Sequence, residues 1–395
     1  MPVLNSANEA KGRITQWRRH IHENPGVLYE VEHTAAFVAE KLRAFGVDEV
    51  VEGIGRTGLV GIIHGRGGAG GKTIGLRADM DALPIHEESG KEWCSKTDGK
   101  MHACGHDGHT AMLLGAAEHL ATTRNFDGSV AVIFQPAEEG GAGGKAMVDD
   151  GMIERFDISE VYGMHNLPGL PVGEFAICSG AIMAATDEFK ITINGRGGHA
   201  AMPHETVDPI TCGASMVQAL QTVAARNVDP MKSLVLSVTQ FHAGDAYNVI
   251  PASAVLVGTI RTLDKDLRTM GERRMREIAA AIAEAHGASV EIDFRSGYPV
   301  TYNHDAQTDF AVEVASSVAG ADRVDAQQSP MMGGEDFSYM LEARPGAFIF
   351  VGNGDTAGLH HPKYDFNDDT IPHGVSYWVA LAEKALPAGD AAKAA

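Results

Sequence analysis

Apolar residues recur at three- and four-residue steps at the start of the chain, through Ile14, Trp17 and Ile21. That period predicts a helix over 6–23, stopped by the Asn-Pro-Gly at 24–26. A second helix is expected over 32–45, ending at Gly46. The pattern then shortens to strand-like runs at 50–55, 57–65 and 72–83. The glycine-rich GRGGAGG at 65–71 reads as a hairpin loop. It has no following Lys-Ser/Thr and no strand-to-helix setting, so it does not read as a phosphate cradle. Next, HTAMLLGAAEHLATT (109–123) predicts a helix after the polar ACGHDG, and GSVAVIFQPAEEG (128–140) a buried strand running into a loop. Residues 143–156 read as helix and turn, and 157–169 as another strand ending in a loop.

From about 186 the texture changes to strict alternation, as in DEFKITINGRG. A helix at 208–227, strands at 233–244 and 253–263, an amphipathic helix at 267–288 and a strand at 289–296 follow. The order β-α-β-β-α-β is that of a ferredoxin-like α+β unit. The first texture returns after 296, with a helix at 305–319, the strand GAFIFVGNG and a last helix over 371–386. The expected fold is an α/β domain, a sheet covered by helices, spanning 1–185 and 296–395 and interrupted by a smaller domain at 186–295. The tail 388–395, AGDAAKAA, is expected to fray.

The chain has 395 residues and a net charge of −20. That acidity argues against nucleic acid and anionic membrane surfaces as partners, because both call for clustered Lys and Arg. It leaves open a small anionic substrate, for which one well-placed Arg suffices. No apolar run is long enough for a membrane span, and the polar N-terminus has no signal-like core, so a cytoplasmic location is expected. The four cysteines lack framework spacing and read as reduced thiols, one of them a potential ligand.

Chemistry-bearing residues gather where strands pass into loops: Asp79 and Asp81; Cys104, His106, Asp107 and His109; Glu138 and Glu139; and His165. His360 and His361 lie near the C-terminus. Singly, each has an ordinary structural explanation, such as a buried thiol, a satisfied histidine or a solvated pair of glutamates. Together, a Cys-x-His pair, further histidines and carboxylates form a donor set suited to Zn or Mn. Ligands commonly bind at such strand ends in open α/β sheets.

RRHIHENPG, RADMDALPI, MHACGHDGHT, FQPAEEGGAGG, MHNLP, GRGGHAAMPHETVDPI, NVIPASAVLVGTIR, MMGGEDFSYM and LHHPKYDFND occur in that order along nearly the whole chain. In them the sequence resembles the aminoacylase and carboxypeptidase family of di-metal peptidases. The similar branch is that of the hippurate hydrolases, N-acyl-amino-acid amidohydrolases and auxin-conjugate hydrolases. The resemblance implies two divalent ions, Zn or Mn with Ni or Co as further candidates. Cys104 would bridge them, Glu139 and His360 completing one site and His106 and His165 the other. It favours His360 over His361 by its spacing from Pro362. Glu138 would be the general base, with Asp81 supporting the site. The position of a further family histidine ligand holds Asp79, whose role stays open. His199 would reach a partner subunit's site and stabilise the oxyanion, so a homodimer or dimer-based oligomer is expected. Asn248, Arg261 and Gly334 would contact the substrate.

The resulting expectation is metal-dependent hydrolysis of N-acyl or N-aroyl L-amino acids, hippurate-like compounds first. The alternatives are a dipeptidase or carboxypeptidase on the same site, deamination of an aromatic amine, and a non-catalytic metal-binding relative. A purely binding protein would have no need of a base such as Glu138 beside Glu139.

Overall fold

The structure, a computed structural model, describes residues 3–389. From residue 390 onward the tail expected to fray lies outside them. The chain forms two compact units, one of 1–182, 302–329 and 336–395, the other of 183–301 and 330–335. The architecture is mixed α/β, as the hydrophobic patterning predicts. Among the described residues, no helix is long and apolar enough to cross a membrane.

The first unit opens with helices α1 (Asn5–Glu23) and α2 (Glu32–Ala44) and strands β1 (Glu49–Ile54), β2 (Gly58–His64) and β3 (Thr73–Asp79). Helix α3 (His106–Thr123) and strands β4 (Ser129–Gln135) and β5 (Ile158–Pro168) follow. The sheet runs β1-β2-β4-β3-β5 and continues through Gly346–Gly354, Phe175–Ala176 and Val324–Asp325. β3 is parallel to β4 on one side and β5 on the other, and Gly346–Gly354 is parallel to β5. All seven residues of β3 and of β4 are buried. Such uniformly apolar runs are the mark of strands covered on both faces.

Two sequence expectations need correction. GRGGAGG is not a hairpin loop, because β2 pairs antiparallel with β4, which lies between β2 and β3. The glycines instead let the connection run against the chain before β4. Gly65 N–H donates to the Gly128 carbonyl at 2.9 Å, and a Cβ on Gly65 would sit 2.0 Å from the Phe126 oxygen. Helix α3 also begins earlier than its apolar period implies, at His106 directly after Gly105 in the left-handed region (φ +90°). The polar first turn conceals the start of a helix that is buried on nearly every side.

In the second unit, strands Ala185–Asn194, Leu234–His242, Ser253–Thr262 and Ser289–Ser296 form one antiparallel sheet. Counted within the unit, the order is 2-3-1-4. With helices Pro209–Asn227 and Lys265–Ala285 it makes the β-α-β-β-α-β unit read from the sequence. Phe189, Ile191 and Ile193 alternate on one strand and pack with Met216, Leu220 and Met275. Asp208 and Asp264 cap the two helices, their carboxylates accepting from the Ile210 amide and from the Asp266 and Leu267 amides. Residues 330–335, remote in sequence, join this unit. The Ala184 N–H donates to the Gly333 carbonyl at 2.8 Å, and Met183 bridges Met331.

Candidate metal centre

β3 ends at Asp79, β4 ends just before 136–139, and β5 carries His165 near its last turn of pleat. Because the three strands are parallel, their carboxyl ends share one edge of the sheet. Asp81, fully buried, accepts the Glu138 N–H at 2.9 Å on one oxygen and the Glu139 N–H at 3.1 Å on the other. This clamp fixes a turn in which Ala137 has φ +53°, a conformation that an L-residue holds only under external constraint. Gly143 is required there, since a Cβ would lie 1.7 Å from the Pro136 oxygen.

The histidine rings are set by the backbone around them. His106 donates Nδ1–H to the Asp81 carbonyl at 2.8 Å, and His165 donates Nδ1–H to the Asn166 carbonyl at 2.7 Å. In the neutral ring both bonds leave Nε2 as the bare acceptor, the form in which imidazole binds a cation. His165 Nε2 lies 3.4 Å from Cys104 Sγ. His360 Nε2 lies 3.4 Å from Glu139 Oε1. The ligand atoms of Cys104, His106 and His165 all lie within 4.8 Å of one another, as do those of Cys104, Glu139 and His360. Cys104 is common to both groups.

The neighbours separate ligand-like residues from supports. His361 accepts the Lys363 N–H on Nδ1 at 3.1 Å, so its Nε2 carries the proton and lacks a donor pair for a cation. His109 has both nitrogens engaged: Nδ1–H donates to Asp79 at 2.6 Å, and Nε2 accepts the Asn166 N–H at 2.9 Å. Asp79 is held from the other side by Arg77, whose Nη1 is 2.8 Å away and whose Nη2 reaches Asp336 at 3.0 Å. All four are buried. Asp79 thus belongs to a buried ionic frame. Composition and spacing gave no sign of Arg77 or Asn166, because their partners Asp336 and Tyr364 lie 259 and 198 residues away.

The electrostatics call for positive charge. Burial, reinforced by Glu139, Glu138 and Asp79, pushes the Cys104 thiol well above its ordinary value. Burial works to raise Asp79, but His106, Arg77 and His109 hold it well below the carboxylate range. Burial opposes a charge on His106, yet Asp79, Asp81 and Glu139 push it up to about 10. His106 Nε2 and Glu139 Oε1 are buried with no hydrogen-bond partner. Orphaned atoms of this kind demand an explanation, and a divalent cation at each of the two groups would engage one of them.

In the second unit, Gly198–His199 pairs with Val249–Ile250, and the Ala200 N–H donates to the Asn248 carbonyl at 3.0 Å, so His199 and Asn248 lie together. His199 is exposed and accepts the Ala201 N–H on Nδ1 at 3.1 Å, which leaves Nε2–H as a donor. Arg261 pairs with Thr186 at the far end of the sheet, where a Cβ on Gly334 would meet the Thr186 side chain. His199 and Arg261 are therefore not brought together within one chain.

A family model, Peptidase family M20/M25/M40, matches residues 75–384. The chain belongs to that family. It is 42% identical over 386 residues to the hippurate hydrolase of Campylobacter jejuni, covering 98% of this chain and 100% of that protein. It is 45% identical over 305 residues to the N-acyl-L-amino acid amidohydrolase of Geobacillus stearothermophilus, covering 77% and 81%. Among solved structures, a dinuclear metal-binding peptidase of the family from Bacillus subtilis superposes with TM-score 0.83 at 34% identity, covering 96% and 99%. Family members are amidohydrolases and peptidases, so the chain is a hydrolytic enzyme.

Proposed function

We propose that the protein hydrolyses the amide bond of N-acyl and N-aroyl L-amino acids, hippurate-like compounds among them. The observation that carries this is the pair of ligand groups sharing Cys104, with Glu138 fixed by Asp81 beside Glu139. His106 and His165 would hold one divalent cation with Cys104, and Glu139 and His360 the other; Zn and Mn suit these donors, with Ni and Co as further candidates. Such a pair supplies polarisation of the amide carbonyl and acidification of water near neutral pH. Glu138 then takes a proton from the attacking water and returns it to the leaving nitrogen as the C–N bond breaks. The products are a carboxylic acid and a free amino acid.

His199, with a donor at Nε2, is suited to the developing oxyanion, and Asn248, Arg261 and Gly334 are the proposed substrate contacts. Ser253 to Arg261 spans about 26 Å at strand rise. His199 lies beyond the Ser253 end, paired with Val249. No single small substrate spans that distance, which supports a homodimer in which each chain lends His199 to the other. The edge strand Leu234–His242, with Val235 partly exposed, offers a surface for such pairing.

Protein loaded with Mn²⁺ or Zn²⁺ should release the free acid from hippurate and N-acetyl amino acids faster than it cleaves unblocked dipeptides. Silence on the whole acyl panel with metal bound would sink the reading, and faster dipeptide cleavage would replace it with a dipeptidase. Glu138→Ala should lose about 10²–10⁴-fold in kcat with metal content unchanged.

A further inference from the structure

We propose that Asn166 and Tyr364 are positioning residues that hold the Cys104–Glu139–His360 group in register with the Cys104–His106–His165 group. The inference rests on the two-cation reading above. Neither residue is of a type that stands out as a ligand in the sequence. Asn166 follows His165 on β5, and Tyr364 lies four residues after His360.

Asn166 touches every segment that matters. Its main-chain carbonyl takes the His165 Nδ1–H, and its main-chain N–H donates to His109. Its side-chain Nδ2 donates to the Cys104 carbonyl at 2.6 Å. Its Oδ1 accepts the Tyr364 hydroxyl at 2.8 Å. One amide thus links the shared cysteine and the β5 histidine to the loop that carries His360. Gly105, between Cys104 and His106, has no room for a side chain because this pair occupies it. A Cβ there would lie 2.3 Å from Asn166 Nδ2 and 2.5 Å from the Tyr364 hydroxyl.

The His360 loop needs such an anchor. His360 is exposed and sits at φ +63°, a conformation that neighbouring contacts must enforce. Two backbone bonds contribute, His360 N–H to the Ala103 carbonyl at 2.8 Å and Glu88 N–H to the Pro362 carbonyl at 2.7 Å. Both tie the loop to the 80–105 connection. Tyr364 supplies the tie to β5, where the other group is anchored. A plain core role for Tyr364 would need only its ring. The hydroxyl is fully buried and spent on the one side chain that also holds Cys104.

The test is titration of chelator-stripped protein with Co²⁺, following thiolate-to-cobalt and d–d absorbance and counting bound metal. The wild-type chain should take up two equivalents. Tyr364→Phe should keep one site at wild-type affinity and weaken the other about 10–100-fold, the usual effect of losing an outer partner of a ligand. Asn166→Asp keeps an acceptor for Tyr364 but loses the donor to the Cys104 carbonyl, so both sites should weaken. His361→Ala should change neither. Unchanged affinities in Tyr364→Phe, or equal weakening of both sites, would overturn the proposal. A wild-type chain that binds fewer than two equivalents would overturn the two-cation reading as well. Should Tyr364→Phe not fold by circular dichroism, Asn166→Asp decides alone, and unchanged affinity at both its sites overturns the proposal.

Discussion

At the carboxyl edge of the first unit's sheet, His106 and His165 each give Nδ1–H to a main-chain carbonyl. In the second unit, His199 receives a main-chain N–H at Nδ1 instead. The same side chain therefore presents opposite faces, a bare Nε2 in one region and an Nε2–H in the other. The first suits a cation and the second a developing anion. The surroundings differ in the same sense. His106 and His165 are buried inside a frame of Arg77, Asp79, Asp81 and Asn166, while His199 stands exposed on a two-residue ribbon. A histidine's role here is set by the backbone group beside Nδ1 and by how firmly its neighbours hold the ring.

The largest effect should come from breaking the frame. Asp79→Ala takes one carboxylate partner from the buried Arg77 guanidinium and removes the acceptor of His109 Nδ1–H. Removing one member of a buried ion pair costs about 3–5 kcal/mol, so the urea midpoint should fall steeply and metal content with it. A loss under about 1 kcal/mol, the scale of an exposed pair, would show that the frame is not what holds the region. His199→Ala should behave in the opposite way. Its stability should move by no more than about 0.5 kcal/mol, as for ordinary surface substitutions, while kcat falls about 10²–10³-fold through loss of an oxyanion donor. Equal mixing of His199→Ala and Glu138→Ala chains should restore about a quarter of wild-type activity if a two-fold dimer shares its sites. Inactivity in every mixture after subunit exchange would confine His199 to its own chain.

The sequence exposed these two regions unequally. The α/β texture, the inserted β-α-β-β-α-β unit and the succession of strands along the chain came from apolar periods, because the central strands β3 and β4 of the first sheet are buried on both faces and strands of the second such as Ala185–Asn194 alternate between buried and exposed positions. Cys104, His106, Glu138, Glu139 and His165 were legible because they cluster among glycines at the start of α3 and at the ends of β4 and β5. The connection at 65–71 was misread because pairing partners are chosen by the whole sheet, and β4 arrives only 58 residues after Gly71. The start of α3 was hidden because its first turn is polar for chemical reasons and buried by its neighbours. Arg77, Asn166 and Tyr364 were not marked because each acts through at least one partner distant in the chain, and no local pattern marks a residue whose purpose is to orient another.

The smallest expected effect reports on how firmly the frame extends behind α3. His22, buried on α1, lies 2.8 Å from Asp107 on α3 and 3.2 Å from Glu87. Burial opposes its charge, but Asp107 and Glu87 together raise its pKa to about 9. A folded value above the ordinary 6.5 means that protonated His22 stabilises the fold fully below pH 6.5. That contribution is lost as pH rises from 6.5 through about 9. Glu87 works in the other direction. Burial would raise it, but His22, Ser89 and the Ser95 N–H bring it down to about 2, so its contribution is complete above pH 4.5 and fades as pH falls toward 2. Between pH 4.5 and 6.5 both act in full. The wild-type advantage over His22→Gln should therefore shrink with rising pH, by no more than about 1.4 kcal/mol per pH unit, the limit for one proton. Amide exchange should localise the loss to α1 and α3 and leave Ala185–Asn194 and its neighbours unmoved. A pH-independent difference between the two proteins would mean that His22 stays neutral against Asp107, and that this part of the frame is held by packing alone.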